Sequence, residues 1–158
     1  MEKKNFVNKL GIRKDIFELP FSPIREVARS AVNQEDVVQF WFGEPDISTP
    51  EFIRSATKLS LDRGETFYAP NSGLLPLRET ICDYMNRLYE TSICPEQITV
   101  SVSGMNALMI TTQTLISYGS KVVVVLPCWP NIQAIQNIIG AEVEGVSLKM
   151  EEERWSLD

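Results

Sequence analysis

The chain contains no histidine. That absence removes Ser–His–Asp and Cys–His nucleophile systems, His-ligated metal sites and any imidazole general base. Cysteine is sparse as well. Cys82, Cys94 and Cys128 are odd in number and lack CxxC spacing, which points to reduced thiols in a cytoplasmic protein rather than to a disulfide framework or a zinc site. The longest apolar run, Val122 to Leu126, is closed by Pro127 and falls far short of the ~20 residues that a membrane-spanning helix needs. Basic charge is also in deficit, with 15 Lys and Arg against 21 Asp and Glu and a net charge of −6. General nucleic-acid binding is disfavoured, because phosphate neutralisation needs clustered cations. Only Lys3, Lys4, Lys9, Arg13 and Lys14 form a locally basic stretch, and no apolar run follows them to make a secretory leader.

What is present is the composition of a globular domain: 158 residues, 44% hydrophobic and 23% charged. Ser22-Pro23 reads as a helix start, since proline loses nothing at a first helical position, and Ile24, Val27, Ala28 and Ala31 follow at helical spacing. Val37 to Phe42 is a β-type run entering the turn Gly43-Glu44-Pro45-Asp46. Thr49-Pro50 opens a second helix to about Leu61, and Leu74, Leu77, Ile81 and Leu88 mark a long amphipathic one. The rhythm then becomes strand (Ile98 to Val102), helix (Met105 to Ile116), strand (Val122 to Leu126), helix (Ile132 to Ile139, ended by Gly140) and a β-type run (Ala141 to Leu148). Such alternation predicts an α/β fold, three layers α/β/α with a mainly parallel sheet, and the unbroken valine run predicts a strand covered on both faces. In the acidic tail, Trp155 and Leu157 are apolar residues that need something to pack on.

Open α/β sheets bind ligands beyond the carboxyl ends of their strands. Two loops are therefore of interest. Ser103-Gly104-Met105-Asn106 leads a strand straight into a helix, whose free N–H groups and positive dipole end suit an anion, above all a phosphate; the same spacing also serves as a tight turn without a ligand. Pro127-Cys128-Trp129-Pro130-Asn131 sets an aromatic between prolines, either as a stacking surface or as a half-buried packing residue.

Four segments taken together, Phe42 to Pro50 (FGEPDISTP), Phe67 to Arg78 (FYAPNSGLLPLR), Ile98 to Leu108 (ITVSVSGMNAL) and Lys121 to Ala141 (with LPCWPN), carry a resemblance. From about residue 20 onward, the sequence resembles class I/II pyridoxal-phosphate-dependent aminotransferases of the aspartate aminotransferase fold. The resemblance implies pyridoxal 5'-phosphate as cofactor, amino acids and 2-oxo acids as substrates, and a homodimer. It places the cofactor phosphate on the turn of Ser103, Gly104 and Met105, the stacking ring at Trp129 and the substrate carboxylate at the backbone N–H of Gly43. Tyr68 would reach the phosphate of the neighbouring subunit. At Met105 the family usually has Ser or Thr, so a side-chain hydrogen bond of ~1 kcal/mol or somewhat more is lost.

The resemblance also implies an incomplete large domain. Residues 1–45 correspond to the N-terminal arm, first helix and short strand, and residues 46–158 to the first part of the cofactor-binding domain. The family's Schiff-base lysine, its aspartate partner to the pyridine nitrogen and the arginine for the α-carboxylate lie downstream of the matched region. None of Lys3, Lys4, Lys9, Lys14, Lys58, Lys121 or Lys149 stands in that lysine's context, so no catalytic residue is expected in this chain, and no metal ligand. The same motifs also serve β-lyases and aminocyclopropane carboxylate synthases, and a short product of this kind also fits a non-catalytic partner of a full-length relative.

Overall fold

A computed structural model describes residues 10–157, so Lys3, Lys4 and Lys9 of the basic stretch and the terminal Asp158 lie outside the described residues. The described chain divides into two units: one holds the residues up to Trp41 together with those from Gly104 onward, and the other is Phe42–Ser103.

In the first unit the central element is a β–α–β sequence. The helices there are α1 (Lys14–Phe17), α2 (Pro23–Ala31), α5 (Gly104–Leu115) and α6 (Pro130–Ile139). Strand β1 (Lys121–Leu126) runs parallel to β2 (Glu142–Ser147), in register from Lys121 opposite Glu142 to Leu126 opposite Ser147. Four successive valines favour the extended backbone, because β-branched side chains are stiff at χ1 and pack well on a pleated surface. Pro130 takes the first position of α6, and Gly140 ends the helix at φ 86°. Any side chain at Gly140 would also strike the ring of Tyr118, with a Cβ 2.6 Å from Cε2.

Helix α6 packs on both strands, and Gly145 of β2 meets Leu126 and Gln133 where a larger residue would intrude. Val124 and Ile135 are buried there, Ile135 to 1% exposure. Helix α5 lies against α6, with the Gln136 amide donating to the hydroxyl of the buried Thr112 at 3.2 Å. At the other end of α6, Arg13 donates to the Ile138 carbonyl at 2.6 Å, a cation on the negative end of the helix dipole. A hairpin of β3 (Lys149–Glu151) and β4 (Arg154–Ser156) sets Trp155 opposite Met150, with Glu152 and Glu153 both at positive φ in its turn.

The second unit holds α3 (Glu51–Asp62), α4 (Leu75–Tyr89) and a 3₁₀ turn (Pro95–Gln97). Arg78 on α4 donates to the Pro95 carbonyl at 2.7 Å, and the Asn86 side chain both donates to and accepts from the backbone of Ile93, so the chain after α4 folds back on the helix. Cys82 is buried in this unit. Helix α3 buries no residue, and Phe52 and Leu61 on it are exposed.

The helices start and stop where proline and glycine place them, but several expectations need correction. Ser22 is the N-cap of α2, with Pro23 at the first position, although its side chain makes no cap bond, whereas α3 starts one residue later than expected, with Pro50 rather than Thr49 as its N-cap. Val37 to Phe42 and Ile98 to Val102 form no strand, since a strand requires a hydrogen-bonded neighbour and, among the described residues, β1 pairs with β2 and β3 with β4. In residues 98–102, Ile98 N–H instead donates to the Pro95 carbonyl at 3.2 Å and Val100 N–H to the Ser72 carbonyl at 3.0 Å. Strand β1 is covered on one face, and Val123 and Val125 on the other are exposed. Trp155 is more than half exposed beside Met150. Among the described residues no helix is long and apolar enough to cross a membrane.

Two outcomes follow. Ile135→Ala lowers unfolding free energy by about 2–5 kcal/mol in urea titration, whereas Ile135→Val costs about 0.5–1.5 kcal/mol. Burial pushes the Cys82 thiol up, and the negative charges of Cys94, Asp83 and Glu96 add to that while Arg78 opposes it. A raised thiol pKa leaves less thiolate at pH 8, so iodoacetamide labels Cys94 and Cys128 well before Cys82 in the folded chain, and all three at similar rates in urea.

Candidate functional site

Two helix N-termini meet in the first unit. Met105 is the second residue of α5 and Asn131 the second residue of α6, and the Asn131 amide nitrogen lies 3.8 Å from the Met105 sulfur. Farther along, Gln136 of α6 meets Thr112 of α5. The two contacts occur in the same order along both helices, so α5 and α6 run side by side with their positive ends together. By helix geometry, the first N–H groups of each have no intrahelical acceptor.

The chain is acidic, yet it places no acid there. Helices α1, α2 and α3 begin with Asp15, Glu26 and Glu51 in their first turns, which offset the dipole from within; α5 and α6 have no acidic residue in theirs, as is also true of α4 in the other unit. Trp129 is the N-cap of α6 and contributes no side-chain cap, so its ring, 45% exposed, stands free of that duty at the same end.

The glycines separate into two kinds. Five of the eight adopt positive φ, and Gly145 is pressed by Leu126. Gly43 and Gly104 alone have neither reason to be glycine: φ is ordinary for any residue, and a Cβ would meet nothing within 4 Å. Glycine in open space is the residue that lets a ligand approach the backbone closely. Gly104 opens α5, beside Met105, so the groups present there fit a phosphate group: a helix N-terminus with no acid in its first turn, and open space at Gly104.

Thus Gly104, Met105 and Trp129 of the expected set lie in one unit, at the N-terminal ends of α5 and α6. Ser103 is the last residue of the other unit, and its carbonyl accepts from the Ser101 hydroxyl at 2.9 Å. Gly43 and Tyr68 also belong to that second unit; Tyr68 is fully exposed in the segment between α3 and α4. Asn131 was not among the expected residues. Its signal was a polar side chain at the second position of a helix, two residues after the candidate stacking ring.

Comparison with known proteins decides the family. The family model described as aminotransferase class I and II matches residues 35–158. The chain belongs to this family. Its members are pyridoxal-phosphate-dependent enzymes with an α/β fold. The aspartate aminotransferase of Pyrococcus horikoshii is 30% identical over 145 residues, covering 92% of this chain and 37% of the relative. Among solved structures, the alanine aminotransferase of Pyrococcus furiosus shares the fold with a TM-score of 0.81 at 24% identity, covering 92% of this chain and 38% of that one. A double mutant of Thermus thermophilus aspartate aminotransferase gives a TM-score of 0.76 at 29% identity, covering 87% and 37%. The aminotransferase-family chain spans about a third of the length of the curated relatives it matches.

The glycine contrast is measurable. Gly104→Ala leaves stability unchanged or raises it by about 0.5–1 kcal/mol, because alanine suits a helix and the space is open. Gly140→Ala lowers it by more than about 1 kcal/mol, the cost of the left-handed backbone plus the Tyr118 clash. Paired thermal melts compare the two.

Proposed function

We propose that this chain is the N-terminal portion of a pyridoxal-phosphate-dependent aminotransferase that moves an amino group between an amino acid and a 2-oxo acid, and that it holds the cofactor's phosphate and ring. The observation that carries the reading is the meeting of two helix N-termini without acids in their first turns, at Met105 and Asn131, beside the open side of Gly104.

In this reading, backbone N–H groups at Ser103, Gly104 and Met105 take the phosphate, and the helix dipoles of α5 and α6 balance its charge. The exposed Trp129 ring lies flat against the pyridine and orients it. The backbone N–H of Gly43 receives the substrate carboxylate, and Tyr68 donates to the phosphate held by the neighbouring subunit of a homodimer. Residues 1–45 form the arm and first helix, and residues 46–158 the first part of the cofactor-binding domain. Bound pyridoxal phosphate supplies an electron sink for the carbanion left when the α-proton departs. None of the chain's seven lysines occupies the sequence context of the family's cofactor-bonding lysine, so the chain alone binds the cofactor without a covalent link and is inactive.

The test uses the full 158-residue chain. Calorimetry is expected to show binding of pyridoxamine phosphate, with Trp129→Ala weakening it roughly three- to tenfold through lost ring stacking. Borohydride reduction in the presence of pyridoxal phosphate, followed by peptide mapping, is expected to give scattered, substoichiometric lysine modification. Stoichiometric labelling of one lysine would overturn the claim of non-covalent binding, and absence of any binding would overturn the reading as a whole.

A further inference from the structure

We propose that Cys82 and Cys94 are a peroxide-sensitive thiol pair that closes reversibly into an intramolecular disulfide. The inference stands apart from the cofactor-holding reading and lies wholly within the unit Phe42–Ser103.

The geometry starts on one face of α4. Arg78, Cys82 and Asn86 follow one another at four-residue steps, so they share that face. Arg78 donates to the Pro95 carbonyl at 2.7 Å, while the Asn86 side chain accepts from the Ile93 N–H at 2.8 Å and donates to the Ile93 carbonyl at 2.9 Å. Cys82 is thus the middle residue of the three on the helix, and Cys94 lies between the two clamped residues of the returning segment. The rise of the helix from Arg78 to Asn86 is about 12 Å, whereas the chain from Ile93 to Pro95 spans at most about 7 Å. Both clamps therefore lean inward, toward the turn of α4 that carries Cys82.

Both thiols are free, and their surroundings give them different parts. Cys94 is exposed, and its thiol donates to the Gln97 side-chain oxygen at 3.4 Å, a weak bond that a sulfur gives up readily. Cys82 is 4% exposed and is shielded from a dissolved oxidant. Burial is the chief cause that raises the Cys82 thiol, and Cys94 comes next, ahead of Asp83 on the same helix and of Glu96, so the two sulfurs are close enough to sense each other's charge. Arg78 acts in the opposite sense and favours the Cys82 thiolate.

The chemistry needs one molecule of hydrogen peroxide. The Cys94 sulfur attacks one peroxide oxygen, the O–O bond breaks, and the second oxygen leaves as water with the thiol proton, which makes Cys94 a sulfenic acid. The Cys82 sulfur then attacks the Cys94 sulfur; the S–S bond forms, the S–O bond breaks, and the hydroxyl leaves as water with the Cys82 proton. Two thiols are oxidised and one peroxide is reduced to two waters. A dithiol reductant reverses the link.

The experiment treats the full, reduced chain with equimolar hydrogen peroxide, blocks remaining thiols with N-ethylmaleimide in urea and maps tryptic peptides without reductant. Trypsin cuts after Arg78, Arg87 and Lys121, which leaves Cys82, Cys94 and Cys128 on separate peptides. The expected product is a linked Cys82–Cys94 peptide pair that dithiothreitol separates, with Cys128 alkylated. Asn86→Ala frees Ile93, so it is expected to slow linkage severalfold while dimedone traps the Cys94 sulfenic acid at the parent rate. Cys94 stopping at sulfenic or sulfinic acid with Cys82 still alkylated, or Cys94 joining two chains, would overturn the proposal in the parent chain alone. Linkage equally fast in Asn86→Ala would overturn the clamped geometry on which it rests.

Discussion

The packing of α6 against β1 and β2 is the constraint on which the first unit depends. Ile135 is the most deeply buried residue of the described chain, and it sits on the helix that joins the two parallel strands. Parallel strands cannot be linked by a tight turn; the connection must travel back along the sheet, and a helix does so while burying an apolar stripe. Once α6 is fixed in this way, its beginning follows the carboxyl end of β1. Pro127 and Pro130 then hold the short segment carrying Trp129, and Asn131 is delivered to the first turn of α5. Apolar packing in one place thereby sets polar geometry in another.

The two ends of α6 are treated in opposite ways. At the carboxyl end, Gly140 turns the chain through a left-handed residue and Arg13 binds the Ile138 carbonyl, so the negative end is satisfied from within. At the amino end, the chain supplies neither an acid nor a side-chain cap, and it places the start of α5, likewise without an acid in its first turn, alongside. Among the described residues, α1, α2 and α3 carry an acid in the first turn, whereas α4, α5 and α6 carry none. A Cβ at Gly104 would meet nothing within 4 Å, so the start of α5 is open on that side.

Much of this was legible in the sequence because proline and glycine act locally. Pro130 and Gly140 bracket α6 and Pro23 begins α2, all through backbone restrictions that do not depend on distant residues. What was not legible depends on partners. Val37 to Phe42 and Ile98 to Val102 have strand composition, but composition does not supply a ladder neighbour, and both lack one among the described residues. The β3–β4 hairpin was hidden because Glu152 and Glu153 read as solvated charge, whereas both adopt the positive φ that a two-residue hairpin turn demands. Of the proposed site, Ser103, Gly104, Met105 and Trp129 were reached through loop position and family motif. Asn131 needed the third dimension, since nothing in its sequence neighbourhood says that Met105, twenty-six residues earlier, lies within reach.

The separation of glycines into backbone and ligand roles sharpens what a motif can mean. At Gly140 the residue is explained by φ and by the Tyr118 ring, so its presence carries no functional information even though it lies within a matched segment. At Gly104 those local explanations are absent, which is why the proposed ligand role, rather than the fold, is what a substitution there would test. The same logic applies to Gly43, which lies in the other unit and has neither a positive φ nor a neighbour within 4 Å of its would-be Cβ. Alanine at either position therefore separates folding from binding: a structural glycine loses stability on substitution, whereas a ligand-facing glycine loses affinity with stability retained.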